Sequence, residues 1–268
     1  MSRCQSVRIG IFSAPMPLKH VAKAASYLKA DYIRWVELSG AVPVIIPYNL
    51  PKDELLQNLM SVNGLVWVGG AIEKSTHSTQ QYRSLLAAYR LALQFAIQET
   101  NNGNPFPIWG TCLGFDFLAT IPIQFSLKRL PYIQKDTDGT LQFMGKSRLA
   151  SFLSPRLRKQ VAYRKVTHQY HRRGLDPDSD LVKKMTYLKV VSVDKSDVAD
   201  QTFVNMFEYN DYPFYGSQWH PEVPDSELSL ELSRELSRFF YVECSRRTRS
   251  NWQPASNPIS SKYTVLLI

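Results

Sequence analysis

Short runs of β-branched and aliphatic residues alternate along the chain with longer stretches whose apolar positions recur every three to four residues. Strand-like runs fall at residues 7–12, 42–46, 64–68 and 107–109. Between the first two, "KHVAKAASYLKADYIRWVELSG" carries apolar side chains at helical spacing and stops on Gly40, a residue suited to the left-handed backbone that ends helices. "PKDELLQNLM" opens on Pro51 and two early acids, as a first helical turn prefers. "TQQYRSLLAAYRLALQFAIQET" predicts a third, longer helix. Such alternation predicts an α/β fold, a three-layer α/β/α sandwich around a mostly parallel sheet.

The pattern changes after residue 120. Residues 121–185 lack a clear period, and regular strands return as "LKVVSVD", "TFVNMFEY" and "PFYGSQWH", the first two suited to an antiparallel hairpin. "SELSLELSRELSRFFYVE" predicts a closing helix with Ser226 as its N-cap. A single domain over residues 1–245 is expected, with a tail over 246–268. The tail's short apolar tip suits a strand added to a sheet edge or a neighbour, or a packed end.

Composition narrows the class. A 268-residue chain that is 44% hydrophobic, with 13 Phe, 14 Tyr and 5 Trp, has ample material for a full core. No apolar run nears the roughly 20 residues of a membrane helix, and "MSRCQSVRIGIFSAP" lacks the pattern of a secretory signal. Cys4, Cys112 and Cys244 are odd in number and far apart, which argues against a disulfide framework and for a reducing, cytoplasmic setting. No set of Cys and His has metal-ligand spacing, so neither a metal nor an organic cofactor is expected.

Charge adds one asymmetry to a net +9. Residues 146–189 hold twelve Lys or Arg against three Asp, leaving 20 of each sign in the rest of the chain. A basic segment of this kind suits either a solvated face or the attraction of a polyanion, whether nucleic acid or an acidic small molecule.

Three sites carry chemistry. Gly110-Thr111-Cys112-Leu113-Gly114 has the G-x-nucleophile-x-G form in which a strand turns sharply into a helix. The cysteine then lies at a helix N-terminus, where unpaired N–H groups and the dipole favour thiolate, and the Leu113 N–H faces a developing oxyanion. In His220-Pro221-Glu222 the proline forces extended backbone on His220, so imidazole and carboxylate project to one side as base and orienting partner. Gly69-Gly70 follows a strand at the same sheet end, where a backbone N–H can meet a substrate oxygen. Each site alone also fits ordinary packing; together they point to a cysteine hydrolase. Cys4 and Cys244 lack any such frame.

"WGTCLGF" and "GSQWHPE", with "GLVWVGG" and "AASYLKADYIRWVELSGAVPVIIPYNL", resemble the gamma-glutamyl hydrolases of the class I glutamine amidotransferase-like superfamily, the peptidase C26 type. The resemblance covers residues 7–120 and 200–240. It implies a flavodoxin-like class I glutamine amidotransferase fold, Cys112 as nucleophile, His220 as base and acid, Glu222 as orienting carboxylate, and the Gly70 and Leu113 amides, with Gly69 beside them, as oxyanion and substrate contacts. Phe115-Asp116 after the elbow and Trp219 before the histidine look like the hydrolases, not the ammonia-donating glutaminases. The resemblance also implies a mid-chain histidine near the substrate, for which "THQYHRR" offers His168 and, less favoured, His171.

There are departures. Residues 121–185 match poorly, "VPDSE" follows Glu222, and Asp116 stands where glutamate is usual. The implied partner is a small, anionic γ-glutamyl substrate such as a folyl-poly-γ-glutamate, with Arg172 and Arg173 meeting its tail; a homodimer is also implied, while membrane and nucleic acid are not. Rival readings are a glutaminase subunit, a hydrolase of a small γ-glutamyl amine, and a non-catalytic binding protein on the same fold.

Overall fold

Apolar runs short enough to cross a sheet once become strands, and the amphipathic stretches between them become the helices that cover it. The structure, a computed structural model, describes residues 6–16, 26–70, 80–127, 130–197, 200–247 and 265–268. Its first half comprises β1 (Arg8–Phe12), β2 (Ala14–Pro15), β3 (Ser26–Leu28), α1 (Ala30–Glu37), β4 (Val42–Ile46), α2 (Lys52–Met60), β5 (Gly64–Trp67), α3 (Gln80–Asn101), β6 (Ile108–Thr111) and α4 (Leu113–Thr120). There follow β7 (Tyr132–Lys135), β8 (Gln142–Phe143), α5 (Arg148–Phe152), α6 (Pro155–Tyr163), β9 (His171–Arg173), α7 (Asp180–Lys184), β10 (Leu188–Lys195), β11 (Thr202–Tyr209), β12 (Phe214–Ser217), α8 (Glu227–Ser245) and β13 (Val265–Leu267).

Eight strands form the central sheet in the order β4-β1-β5-β6-β12-β11-β10-β8. The pairings β1·β4, β1·β5, β5·β6 and β6·β12 are parallel, whereas β12·β11, β11·β10 and β10·β8 are antiparallel. One face is covered by α2, α3 and α4 through Leu55, Leu59, Leu85, Ala92, Phe117 and Leu118, with Trp67 stacked on Tyr89 at 4.3 Å. The other is covered by α1, α5, α6 and α8 through Trp35, Leu149, Leu157, Leu236 and Phe240, around Trp109. This is the mostly parallel α/β/α sandwich expected from the alternation.

The β10–β11 hairpin forms as read, and α8 starts at Ser226, whose hydroxyl accepts the Ser229 N–H at 3.2 Å while the Ser229 hydroxyl accepts the Ser226 N–H at 2.8 Å. The helix read over residues 19–40 is shorter. Residues 19–25 lie outside the described part, residues 26–28 are strand, and α1 spans only Ala30–Glu37 before Gly40 takes φ 84°. Strand pairing overrides helical spacing there: β3 is flanked by β2, antiparallel, and by β13, parallel, with Leu266 opposite Tyr27. The apolar tip of the chain is thus a strand.

β13 ties down the lead into α1. The Ala30 N–H donates to the Ile268 carbonyl at 2.8 Å, and the Ile268 N–H to the Leu28 carbonyl at 3.0 Å. Removing residues 265–268 should abolish hydrogen-exchange protection at Ala30 while α3 and β5 keep theirs. Hydrogen-exchange mass spectrometry checks this, and unchanged protection at Ala30 would contradict it.

Candidate active site

A single residue turns the chain from β6 into α4. Cys112 takes φ 51° and ψ −104°, a region that costs a non-glycine residue on the order of 1–3 kcal/mol and persists only where its surroundings dictate it. Its N–H donates to the Ser217 carbonyl of β12 at 2.8 Å, and its carbonyl accepts the Asp116 N–H at 3.0 Å. The flanking glycines are there because nothing larger fits. A Cβ on Gly110 would lie 2.6 Å from the Gly114 carbonyl oxygen, and one on Gly114 would lie 2.2 Å from that of Trp67. Helix α4 therefore begins pressed against β5 and β6, with its first N–H groups free of intrahelical partners beside the thiol.

β12 is the parallel neighbour of β6, so the loop after it emerges at the same sheet end. There His220 Nδ1 lies 2.7 Å from Glu222 Oε1, both groups being buried. Glu222 in this arrangement fixes the Nδ1–H tautomer and leaves Nε2 for the thiol. The Pro221 carbonyl accepts the Ser233 hydroxyl of α8 at 2.6 Å, which anchors the turn. Burial alone would lower the imidazole pKa; the Glu222 carboxylate and then the neighbouring Cys112 outweigh it and hold it up at about 10.

β5 lies on the other side of β6 and delivers Gly69 and Gly70. A Cβ on Gly69 would lie 2.8 Å from His220 Cε1 and 3.2 Å from Cys112 Cβ, so no side chain fits between this backbone and the two catalytic candidates. The Gly69 N–H is already used, donating to the Tyr32 hydroxyl at 2.7 Å. Gly70 packs beside Leu113, whose Cδ2 would stand 3.6 Å from a Cβ there.

The mid-chain residues separate. His168 stands beside the site: its ring centroid is 6.3 Å from that of His220, its carbonyl accepts the His220 N–H at 2.9 Å, and its Nδ1 is 3.6 Å from Asp138 Oδ1. His171 is buried against Phe203, its Nδ1 is 3.0 Å from the Arg173 carbonyl, and burial pushes its pKa down to about 4. Arg172 is exposed. Arg173 turns inward to the Leu130 carbonyl and towards Asp116, whose carboxyl burial pushes well up while Arg173 partly opposes it. Arg173 is thus engaged by the protein and not held out for a substrate tail.

The other basic residues scatter too, Arg148 and Lys189 flanking Glu208 and Arg156 pairing with Glu231. Cys244 packs against Gly64 at the far end of β5, and Cys4 lies outside the described residues. Among the described residues, no group of three or more His, Cys, Asp or Glu is placed to hold a metal ion, and no helix is long and apolar enough to cross a membrane.

Sequence reasoning missed three tyrosines. Tyr27 and Tyr32 fall within a stretch that reads as continuous helix, yet their hydroxyls feel the Cys112 charge. The Tyr170 carbonyl lies 3.9 Å from Cys112 Sγ, and its ring is 67% exposed at the rim of the site. Only the register of β3 and the path of residues 166–170 bring them there.

Two consequences can be measured. Gly114→Ala should destabilise the fold by at least about 1–3 kcal/mol in urea unfolding, because the methyl meets backbone that cannot yield; a change below about 0.5 kcal/mol would contradict the packing. The raised His220 pKa also sets a sign. The stabilisation it brings is complete below the ordinary value of 6.5 and is lost as pH rises through about 10. The stability difference between wild type and Glu222→Gln should accordingly narrow on approaching pH 10, and a difference flat to pH 11 would contradict the ion pair.

Comparison with known proteins bears on sequence kinship and on the fold. The family model described as Peptidase C26 matches residues 9–129. Gamma-glutamyl hydrolase B of Dictyostelium discoideum is 26% identical over 255 residues, covering 90% of this chain and 72% of its own length. The gamma-glutamyl hydrolase of Mus musculus is 28% identical over 208 residues, 73% of this chain and 61% of its own, so the chain spans less than two thirds of that relative. Among solved structures, a putative GMP synthase component from Thermoplasma acidophilum superposes with a TM-score of 0.55 at 16% identity, covering 90% of this chain and 95% of that one. The glutaminase domain of Trypanosoma brucei CTPS with bound acivicin gives 0.54 at 13%, covering 91% and 96%. These two speak for the fold alone. By sequence the chain is thus similar to the Peptidase C26 family over residues 9–129 and to gamma-glutamyl hydrolases over most of its length, and its fold is that of the glutaminase-type domains.

Proposed function

We propose that the chain is a cysteine hydrolase of γ-glutamyl amide bonds, with Cys112, His220 and Glu222 as its catalytic set. The observation that carries the reading is the left-handed Cys112 turn at one strand end, with the His220–Glu222 pair at the next. The name shared by the relatives supplies the γ-glutamyl bond as the target.

In this mechanism Cys112 Sγ, as thiolate, attacks the γ-carbonyl carbon and the carbonyl π pair moves onto oxygen. The N–H groups of Leu113 and Gly70 stabilise the oxyanion. His220 Nε2 gives its proton to the leaving nitrogen, the C–N bond breaks and a γ-glutamyl thioester remains. Water then attacks the thioester, His220 takes the water's proton, and the C–S bond breaks to free glutamate and thiolate. Glu222 holds the imidazole in place through both halves. Imidazolium is the acid of the first half, so kcat/KM should fall as pH rises through about 10.

The leaving group is a finer reading. An acidic γ-linked tail fits the net charge of +9, and exposed Arg172 follows closely on Tyr170 at the rim. Arg172→Glu should then weaken kcat/KM for long γ-glutamyl tails more than for a single γ-glutamyl unit; equal losses would leave a small γ-glutamyl amine as the better substrate.

The deciding experiment is mass spectrometry after incubation with a γ-glutamyl chloromethyl ketone, alongside Cys112→Ser. A single adduct on Cys112 in the wild type, with kcat in Cys112→Ser reduced by more than about a thousandfold, is expected. No adduct, or labelling spread equally over Cys4 and Cys244, would overturn the reading in favour of a binding protein. Rapid hydrolysis of free glutamine would point to a glutaminase instead.

A further inference from the structure

Tyr32, on α1, takes no part in the mechanism above, yet its hydroxyl lies where the three catalytic loops meet. The side chain is 2% exposed. A phenol oxygen offers one proton and two lone pairs. One lone pair accepts the Gly69 N–H at 2.7 Å. A methyl on Gly69 would lie 2.9 Å from that oxygen, 2.8 Å from the His220 ring and 3.2 Å from Cys112 Cβ, so all four groups share one small volume.

Glu222 faces the same oxygen. Its Oε1 holds His220, while its Oε2 is buried and makes no regular hydrogen bond. A buried carboxylate oxygen without a donor is costly. The Tyr32 hydroxyl meets this carboxylate, and burial and then the Glu222 charge keep it protonated, well above the ordinary tyrosine range. The phenol thus has a proton to give and an acceptor in need of it.

We propose that Tyr32 is a positioning residue of this active site. Its oxygen clamps the Gly69 peptide so that the next N–H, that of Gly70, faces the thiol, and its proton serves Glu222 Oε2. One buried hydroxyl thereby fixes the oxyanion loop and the His220–Glu222 pair relative to each other. The inference rests on the hydrolase reading above for its catalytic consequence, but the clamp itself concerns the reactivity of Cys112 with any electrophile.

Tyr32→Phe keeps the ring and removes both bonds. Three measurements are needed: steady-state hydrolysis of a γ-glutamyl anilide, the pH profile of Cys112 alkylation by iodoacetamide, and melting temperature. A carboxylate relieved of its phenol donor holds the imidazolium more tightly. The alkylation profile should therefore move to lower pH by about half a unit or more, while kcat falls about ten- to a hundredfold with KM changed less than threefold. Tyr32→Phe and Glu222→Gln should also be non-additive in kcat/KM, since they act on one group.

Activity within twofold of wild type, or a loss that multiplies with Glu222→Gln and leaves the alkylation profile unmoved, would overturn the proposal. Should Tyr32→Phe fail to fold, difluorotyrosine at position 32 keeps the shape and alters the acidity. A shifted alkylation profile then supports the clamp and an unshifted one overturns it. If the wild type hydrolyses no γ-glutamyl anilide, the proposed function fails, and the alkylation comparison still decides the role of Tyr32.

Discussion

The left-handed backbone at Cys112 constrains almost everything around it. A side chain at that φ is tolerated because α4 must start where β6 ends, and it can start there only if Gly110 and Gly114 let helix and strands pass at backbone contact. That close passage aims the first N–H groups of α4 at the thiol. The Cys112 N–H in turn is held by Ser217, the last residue of the strand from which the His220 loop departs. Cys112, the first N–H groups of α4 and His220 are fixed by one tight turn and the strand beside it.

The sheet divides the work. Its parallel half, β4 to β12, delivers the Gly69, Cys112 and His220 loops from three adjacent strands, the usual position of functional loops in open parallel sheets. Its antiparallel part and the short elements between α4 and β10 form the wall that holds His168, Tyr170 and Arg172. The two halves meet through backbone, where the His168 carbonyl accepts the His220 N–H. The Cys112–His220 cluster and the residues around its rim are therefore carried by different parts of the chain, joined at a seam.

How much could be read beforehand follows from what each feature depends on. Strands and helices of the first 120 residues were legible because their periods are local, and the Cys112 and His220-Pro221-Glu222 frames because small residues and proline announce their backbone. The strand at Ser26–Leu28 was not legible, since its partners are Ala14–Pro15 and Val265–Leu267 and nothing local marks it. Tyr27 and Tyr32 were hidden for the same reason. The basic segment misled in another way: composition counts charges but not their partners. Arg148, Arg156, Arg173 and Lys189 each meet a carboxylate or carbonyl that only the tertiary fold supplies. Of the two histidines in "THQYHRR", burial separates one from the other, and burial is a property of the whole fold.

The pairing of residues 108–111 with residues 214–217 joins the most sequence-distant neighbours in the large sheet. Closing so long a loop is entropically slow, and its cost must be met before the contact rewards it. While the sheet is incomplete, the chain carries the strand that ends at Cys112 without the strand that brings the imidazole. A thiol exposed in such a state stands without the imidazole beside it, and is only an ordinary cysteine. Any reactivity that Cys112 owes to His220 is in that sense a property of the closed sheet, acquired when the most distant contact in it forms and surrendered first if that contact opens.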